Sequence, residues 1–305
     1  MTDALMLAAR SALVELAPAT GGAIARFVHR DIDVLRPVSD EARAQANVRG
    51  YACYPLVPYS NRIRDARLRF GGAAHALARN FGDHPHAIHG VGWQRAWRVG
   101  RSDAANACLR YTHDPRGDDA RAWPWPFTAT QAFGLGGDAN GARLDLTLTL
   151  ANTGTAEFPF GLGWHPFFPR DAATTLRFDA RDVALNDATQ LPVRRVAATG
   201  AWSFASARNP GRATLDNVFA GWRGQAALAA EDGTATTLAA DSACDRLVVY
   251  APEGRDFIAV EPVTHDTDAF NRAADGEPGT GMRALGPGQA FSCTMRIAVA
   301  TLRPA

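Results

Sequence analysis

Two stretches of the chain set an acid and a base among apolar residues. In EFPFGLGWHPFF, His165 is enclosed by Phe158, Phe160, Trp164, Phe167 and Phe168; in FIAVEPVTHDTDAFN, Glu261 ends a strongly apolar run and is followed by Pro262. Burying a carboxylate costs free energy unless it is paired or put to use. Aromatic surroundings shift the pKa of an imidazole, which suits it to proton transfer near neutrality. Each residue also has a plainer reading, as a satisfied core histidine and as a strand-end glutamate reaching solvent. Two further stretches carry polar groups that could hold a ligand. PLVPYSNRIRDARLRFGG puts Asn61 and Arg62 after Pro58-Tyr59-Ser60, and HPHAIHGVGWQRAW carries His84, His86 and His89 ahead of Gly90 and Gly92. Arg62 by itself reads as a surface strand residue in a salt bridge. Three close histidines suggest a metal, but the string is read as lacking a complete ligand set and no metal is expected; Gly90 and Gly92 point instead to a tight backbone approach. Taken together, a Glu and a His in aromatic-rich strands, with an Arg and a second His, make an acid/base pair with polar positioning groups. That combination suits a neutral polar ligand such as a sugar, with fixed hydrogen-bond partners for hydroxyls and aromatic faces for C–H surfaces.

Strands must position these groups. In LDLTLTL, Leu144, Leu146, Leu148 and Leu150 point one way while Asp145, Thr147 and Thr149 point the other. ALMLAARSALVELAP, DRLVVYAP, DFIAVEP and FSCTMRIAVATL also alternate or run short between Gly, Pro, Asn or Asp. The 28 glycines and 18 prolines recur too often for many helices. QAALAAEDGTATTLAAD would score as helix on propensity, but alanine is abundant throughout, so that signal is discounted. The expected fold is all-β: one domain over residues 1–305, a large antiparallel β-sandwich whose inner faces close the core and whose concave face is left for a ligand.

Composition removes several classes. All 32 basic residues are arginine, so Schiff-base aldolase chemistry, pyridoxal phosphate anchoring and a Walker-type phosphate loop, each needing a lysine amine, are excluded. Against 31 acidic residues the formal charge is +1, without a basic stripe interleaved with aromatics, and nucleic acid is not expected as a partner. Cys53, Cys108, Cys244 and Cys293 lack CxxC spacing, and no cationic leader precedes a long apolar run. The expectation is a reduced, cytoplasmic protein, not associated with a membrane, whose cysteines fill the core.

The strings PYSNRI, AIHGVGW followed by a further Trp, WPWPF, FGLGWHPFF, LDNVF and EPVTHDTDAFN resemble, in this order and over nearly the whole chain, those of the aldose 1-epimerases, or galactose mutarotases. The resemblance implies the galactose mutarotase-like supersandwich, with Glu261 as general base, His165 as general acid, and Arg62, His89 and Asp216 holding the sugar beside Asn61. Asp216 enters through the resemblance alone. The Val-Thr-His-Asp run after Glu261-Pro262 and the string HGVGWQRAW depart from the best-known galactose enzymes, as a divergent bacterial branch would. The implied partner is a small-molecule sugar, met by a monomer or homodimer without cofactor.

In the implied reaction one proton leaves the anomeric hydroxyl, another reaches the ring oxygen, and the opened aldehyde turns about C1–C2 before closing on its other face. Positioned proton transfer is worth about 10²- to 10⁴-fold. The pair works with Glu261 ionised and His165 protonated, so a carboxylate pKa below, and an imidazole pKa near or above, the working pH are expected. A related branch acts on hexose 6-phosphates and needs arginines in the cleft. Arg64, Arg67 and Arg69 are the nearby candidates, but on one strand Arg67 and Arg69 share a face that Arg64 does not, so a free aldose is the expected substrate. A non-catalytic sugar-binding protein of the same fold would need no matched acid and base. A glycoside hydrolase would need two carboxylates about one bond, for which Asp216 and Glu261 could be imagined.

Overall fold

The computed structural model describes residues 4–138, 140–211 and 215–301. Alternating apolar and polar residues build two eight-stranded antiparallel sheets. The first runs in the order Arg98–Ser102, Asn106–His113, Phe127–Gly137, Gly141–Asn152, Ala290–Thr301, Thr234–Ala240, Gln225–Ala229 and Thr175–Phe178. LDLTLTL lies at its middle, with Leu146 opposite Phe133 on one side and Met295 on the other. Its four leucines are buried and the intervening Asp145, Thr147 and Thr149 are half-buried, as the alternation predicts. The alanine-rich stretch is a hairpin, Gln225–Ala229 with Thr234–Ala240, and not a helix. Helices are confined to Asp40–Ala44, Asp119–Ala122, Ala269–Ala274 and a few single turns among the described residues.

The second sheet carries the site. Its order is Pro192–Ala197, Asp182–Asn186, Leu215–Ala220, Arg246–Ala251, Phe257–Val263, Gly163–Trp164 and Pro55–Leu56, with Phe167–Pro169 also pairing onto Phe257–Val263. Every residue of Phe257–Val263 is buried, so the apolar run conceals which face meets what. Ile258 and Val260 join the main core that contains Leu144, Leu146 and Leu148. Phe257, Ala259 and Val263 join a separate cluster with Tyr54, Trp93, Phe167, Val218 and Val248 on the opposite face. The period of two puts Glu261 on this second face, in mid-strand and 2% exposed. The reading of a strand-end glutamate reaching solvent therefore fails: the strand continues through Pro262, opposite Leu247, to Val263.

Candidate active site

Register places the two carboxylates. Glu261 lies opposite Val248, which lies opposite Val218, and Asp216 stands two residues before Val218 on the same strand face. His165 falls in the break between Gly163–Trp164 and Phe167–Pro169, its backbone N–H donating to Tyr54 O at 3.0 Å. Its Nε2 is 3.3 Å from Glu261 Oε1. Gly163 permits this approach, since a Cβ there would sit 2.6 Å from Pro262 O.

The remaining candidates form one polar chain into the same space. Asn61 and His89 are both left-handed, at φ 56° and 61°. Asn61 N–H donates to His89 Nδ1 at 3.0 Å and His89 N–H returns to Asn61 O at 2.9 Å. Asn61 Oδ1 accepts from Arg62 N–H at 2.9 Å and Arg62 Nη1 at 3.1 Å. Arg62 Nη2 then donates to Asp216 Oδ2 at 2.9 Å. Gly90 supplies the expected close approach, since a Cβ there would be 2.3 Å from Val57 O.

Asn61, Arg62, His89, His165, Asp216 and Glu261 thus line one cavity of about 890 Å³. A profile of the aldose 1-epimerase family matches residues 7–298. The chain belongs to the aldose 1-epimerase family. It is 28% identical over 295 residues to the uncharacterized protein YphB of Escherichia coli K12, covering 92% of this chain and 93% of YphB. In structure it is similar to a putative aldose 1-epimerase from E. coli K12, with TM-score 0.87 and 26% identity over 98% of this chain and 99% of that one. A galactose mutarotase-like protein from Clostridium acetobutylicum shares the fold, with TM-score 0.82 and 18% identity over 98% and 95% of the two chains.

Against this family background, the electrostatics of the site correct one expectation. Burial pushes the Glu261 carboxyl well above its ordinary pKa, with Asp216 adding to the rise and Arg62 opposing it. Burial also lowers the His165 imidazole to about 3, with Arg36 and Arg62 contributing. Both shifts run opposite to the expected pattern, because each group loses water in the same apolar pocket. Burial thus favours the neutral form of each group. His89 is likewise held neutral, its pKa well below the usual range through burial and the nearby His165. Its Nδ1 accepts from Asn61, so its proton sits on Nε2. His165 Nδ1 and Arg62 Nε are buried without a hydrogen-bond partner among the described residues.

Two sequence readings move elsewhere. Arg64 lies not on a strand with Arg67 and Arg69 but in a single helical turn, Arg64–Ala66, in which Asp65 and Ala66 are left-handed. Arg64 pairs with Asp268 and Arg69 with Asp275, and none of the three lines the cavity. His84 Nδ1 accepts from His86 N–H and His86 Nδ1 from Asp65 N–H, so these rings fasten the loop. No group of three potential metal-ligating side chains occurs among the described residues.

Sequence reasoning passed over Arg36, Tyr54, Tyr250, Arg255 and Phe257, all of which line the cavity. Phe257 was within reach, since counting back by twos from Glu261 gives its face. Tyr54 stacks against the site, with its ring centroid 4.8 Å from that of His165. Arg36 and Arg255 are brought together from opposite ends of the sequence, and nothing local marks them.

Proposed function

We propose that this protein interconverts the α and β anomers of a free aldose by acid–base opening and closure of the sugar ring. The observation that carries the reading is the 3.3 Å contact of His165 Nε2 with Glu261 Oε1 beside Arg62 and Asp216. Glu261, as carboxylate, takes the proton of the anomeric hydroxyl. His165, as imidazolium, delivers one to the ring oxygen; the C1–O5 bond breaks and C1=O forms. After rotation about C1–C2 the two groups exchange roles and the ring closes.

Carboxylate with imidazolium holds the same single proton as carboxyl with imidazole. From the neutral pair that burial favours, the reacting form is reached by moving that proton within the pair, without uptake from solvent. Ring opening leaves the pair neutral, the form that burial favours, which stabilises the open-chain intermediate. Arg62 opposes the rise in the Glu261 pKa and so favours the carboxylate needed at the start. A protein that only binds sugar has no use for this matched acid and base.

A free sugar is favoured by the inner end, where Arg62 is already paired with Asp216 at 2.9 Å; over the whole cavity Arg36, Arg49, Arg62 and Arg255 face Glu41, Asp216 and Asp256 beside the Glu261–His165 pair. One observation favours a second reading, a hexose 6-phosphate. No ion pair joins Arg36, Arg49 or Arg255 to a carboxylate among the described residues, and Arg36 lies 4.0 Å over the Phe167 ring and 4.5 Å over that of Phe257. The four free cysteines and the substrate class agree with a cytoplasmic setting. Anomer exchange followed by NMR with glucose, galactose and glucose 6-phosphate separates the readings. The free sugars should give the higher kcat/KM; a tenfold preference for the phosphate that weakens with salt would assign the Arg36 end to phosphate.

A further inference from the structure

The VTHDTD run that follows Glu261-Pro262 has no part in the chemistry proposed above, yet it is the most deeply buried polar segment among the described residues. Thr264, His265, Asp266, Thr267 and Asp268 are each 1–2% exposed. His265 Nε2 accepts from Ser60 N–H at 3.0 Å, with Ser60 Oγ 3.3 Å from the same nitrogen. His265 Nδ1 lies 2.7 Å from Asp266 O, which can only accept. These two bonds fix the tautomer: the proton is on Nδ1 and the lone pair of Nε2 faces Ser60. Burial lowers the imidazole pKa to about 4, in keeping with a neutral ring.

Ser60 immediately precedes Asn61 and Arg62, the two residues that present hydrogen-bonding groups to the cavity from this side. The same arm is tied a second time, since Asp268 N–H donates to Arg62 O at 2.9 Å. The opposite side of the imidazole meets the segment leading to His165. A Cβ on Gly161 would fall 1.7 Å from His265 Cδ2, so the ring occupies the space a side chain would need there. Next to it, Thr264 N–H donates to Leu162 O and Leu162 N–H to Thr264 Oγ1, both at 2.9 Å. Asp266 anchors the run from behind through Arg195, Arg246 and Arg272.

We infer that His265 is a positioning residue: its neutral imidazole, on the chain segment that carries Glu261, fixes the Ser60–Arg62 turn and abuts the Gly161–His165 segment, setting the sugar-binding arm relative to the acid–base pair. His265 touches no reacting atom. Its loss acts through Asn61 and Arg62, and so first on sugar affinity. The inference rests on the epimerase reading for its kinetic assay, while direct binding and the state of the ring are read independently of turnover.

The test compares His265→Gln, whose side-chain oxygen can accept from Ser60 N–H, with His265→Leu, which leaves that buried donor unsatisfied. KM and kcat are measured by anomer exchange, and Kd by calorimetry, with the aldose giving the fastest wild-type exchange, or galactose if none is exchanged. His265→Leu should raise KM and Kd about tenfold with kcat within about threefold, and His265→Gln should hold all three within about threefold of wild type. A folded His265→Leu with unchanged KM and Kd, or equal losses in the two variants, would overturn the inference and leave a merely structural histidine. If His265→Leu does not fold, or if no aldose binds, the ring ¹⁵N spectrum of the wild-type protein decides. An Nδ1–H ring with unprotonated Nε2 supports the inference, and an Nε2–H ring overturns it. Wild type that binds galactose without exchanging its anomers would refute the epimerase reading and leave the Kd comparison standing.

Discussion

The two ends of the cavity are built in different ways. At the inner end Asn61, His165 and Glu261 are buried, and Arg62 and Asp216 are half-buried and hydrogen-bonded to each other. At the outer end Arg49, Arg255 and Asp256 are exposed, and Arg36 rests on aromatic faces with Nη2 donating to Arg49 O and Tyr51 O. The inner groups are held by strand register and by each other, so their geometry is set before a ligand arrives. Arg49 and Arg255 are exposed side chains, each over an aromatic ring and without an ion pair among the described residues. On the proposed function, chemistry falls to the inner end and substrate preference to the outer end.

That contrast is sharpest at the acid–base pair. His165→Asn should lower turnover about 10²- to 10³-fold with little change in melting temperature. Added to Glu261→Gln it should cost little more, because the two residues act as one unit. A melting temperature that falls in step with activity would return His165 to the status of a core histidine. A smaller effect is expected at Asp216, where the proposed reaction has the inner end hold the sugar. Asp216→Asn removes a charged partner of Arg62 and should raise KM about tenfold, with kcat changed less. Equal losses in kcat and in kcat/KM would place Asp216 in the transition state instead.

The smallest expected effect is on pH dependence. The His165 imidazole is lowered to about 3 and the Glu261 carboxyl is raised. Going down in pH, the pair gains a second proton only near the lowered histidine value; going up, it loses its one proton only above the raised carboxyl value. As pH is lowered from 7 to 5, kcat/KM should therefore not fall. A fall in kcat/KM over that range would mean that the pair takes up its second proton well above the lowered histidine value and that His165 is not desolvated.

What could be read in the sequence follows the same division. The leucines from Leu144 to Leu150 declare a strand because one face meets the core and the other does not. Glu261 and His165 stand out because charged and titratable groups are rare in apolar strings. Their places within the strands are less legible: FIAVEPV is buried on both faces, so its pattern does not show whether the face of Phe257, Ala259 and Glu261 or that of Ile258 and Val260 meets the main core. Asp216 became a candidate only by resemblance, since its role depends on the pairing of Asp216 with Tyr250. Arg36 and Arg255 meet through topology, which no local string records. The direction of the two pKa shifts is not legible in the sequence, because desolvation sets it for both groups and only the packing shows how deep each one lies.

The central claim is that Glu261 and His165 together open and close a sugar ring. Its most direct test is NMR magnetisation exchange between the α and β anomers of galactose and glucose, with wild type and with Glu261→Gln at matched sugar saturation. Wild type should speed the exchange of at least one of the two sugars, and Glu261→Gln, which keeps the shape of the side chain and removes the base, should lose about 10²-fold or more while still binding that sugar. No acceleration of either sugar by wild type, or a Glu261→Gln variant retaining more than about a tenth of wild-type turnover, would contradict the claim.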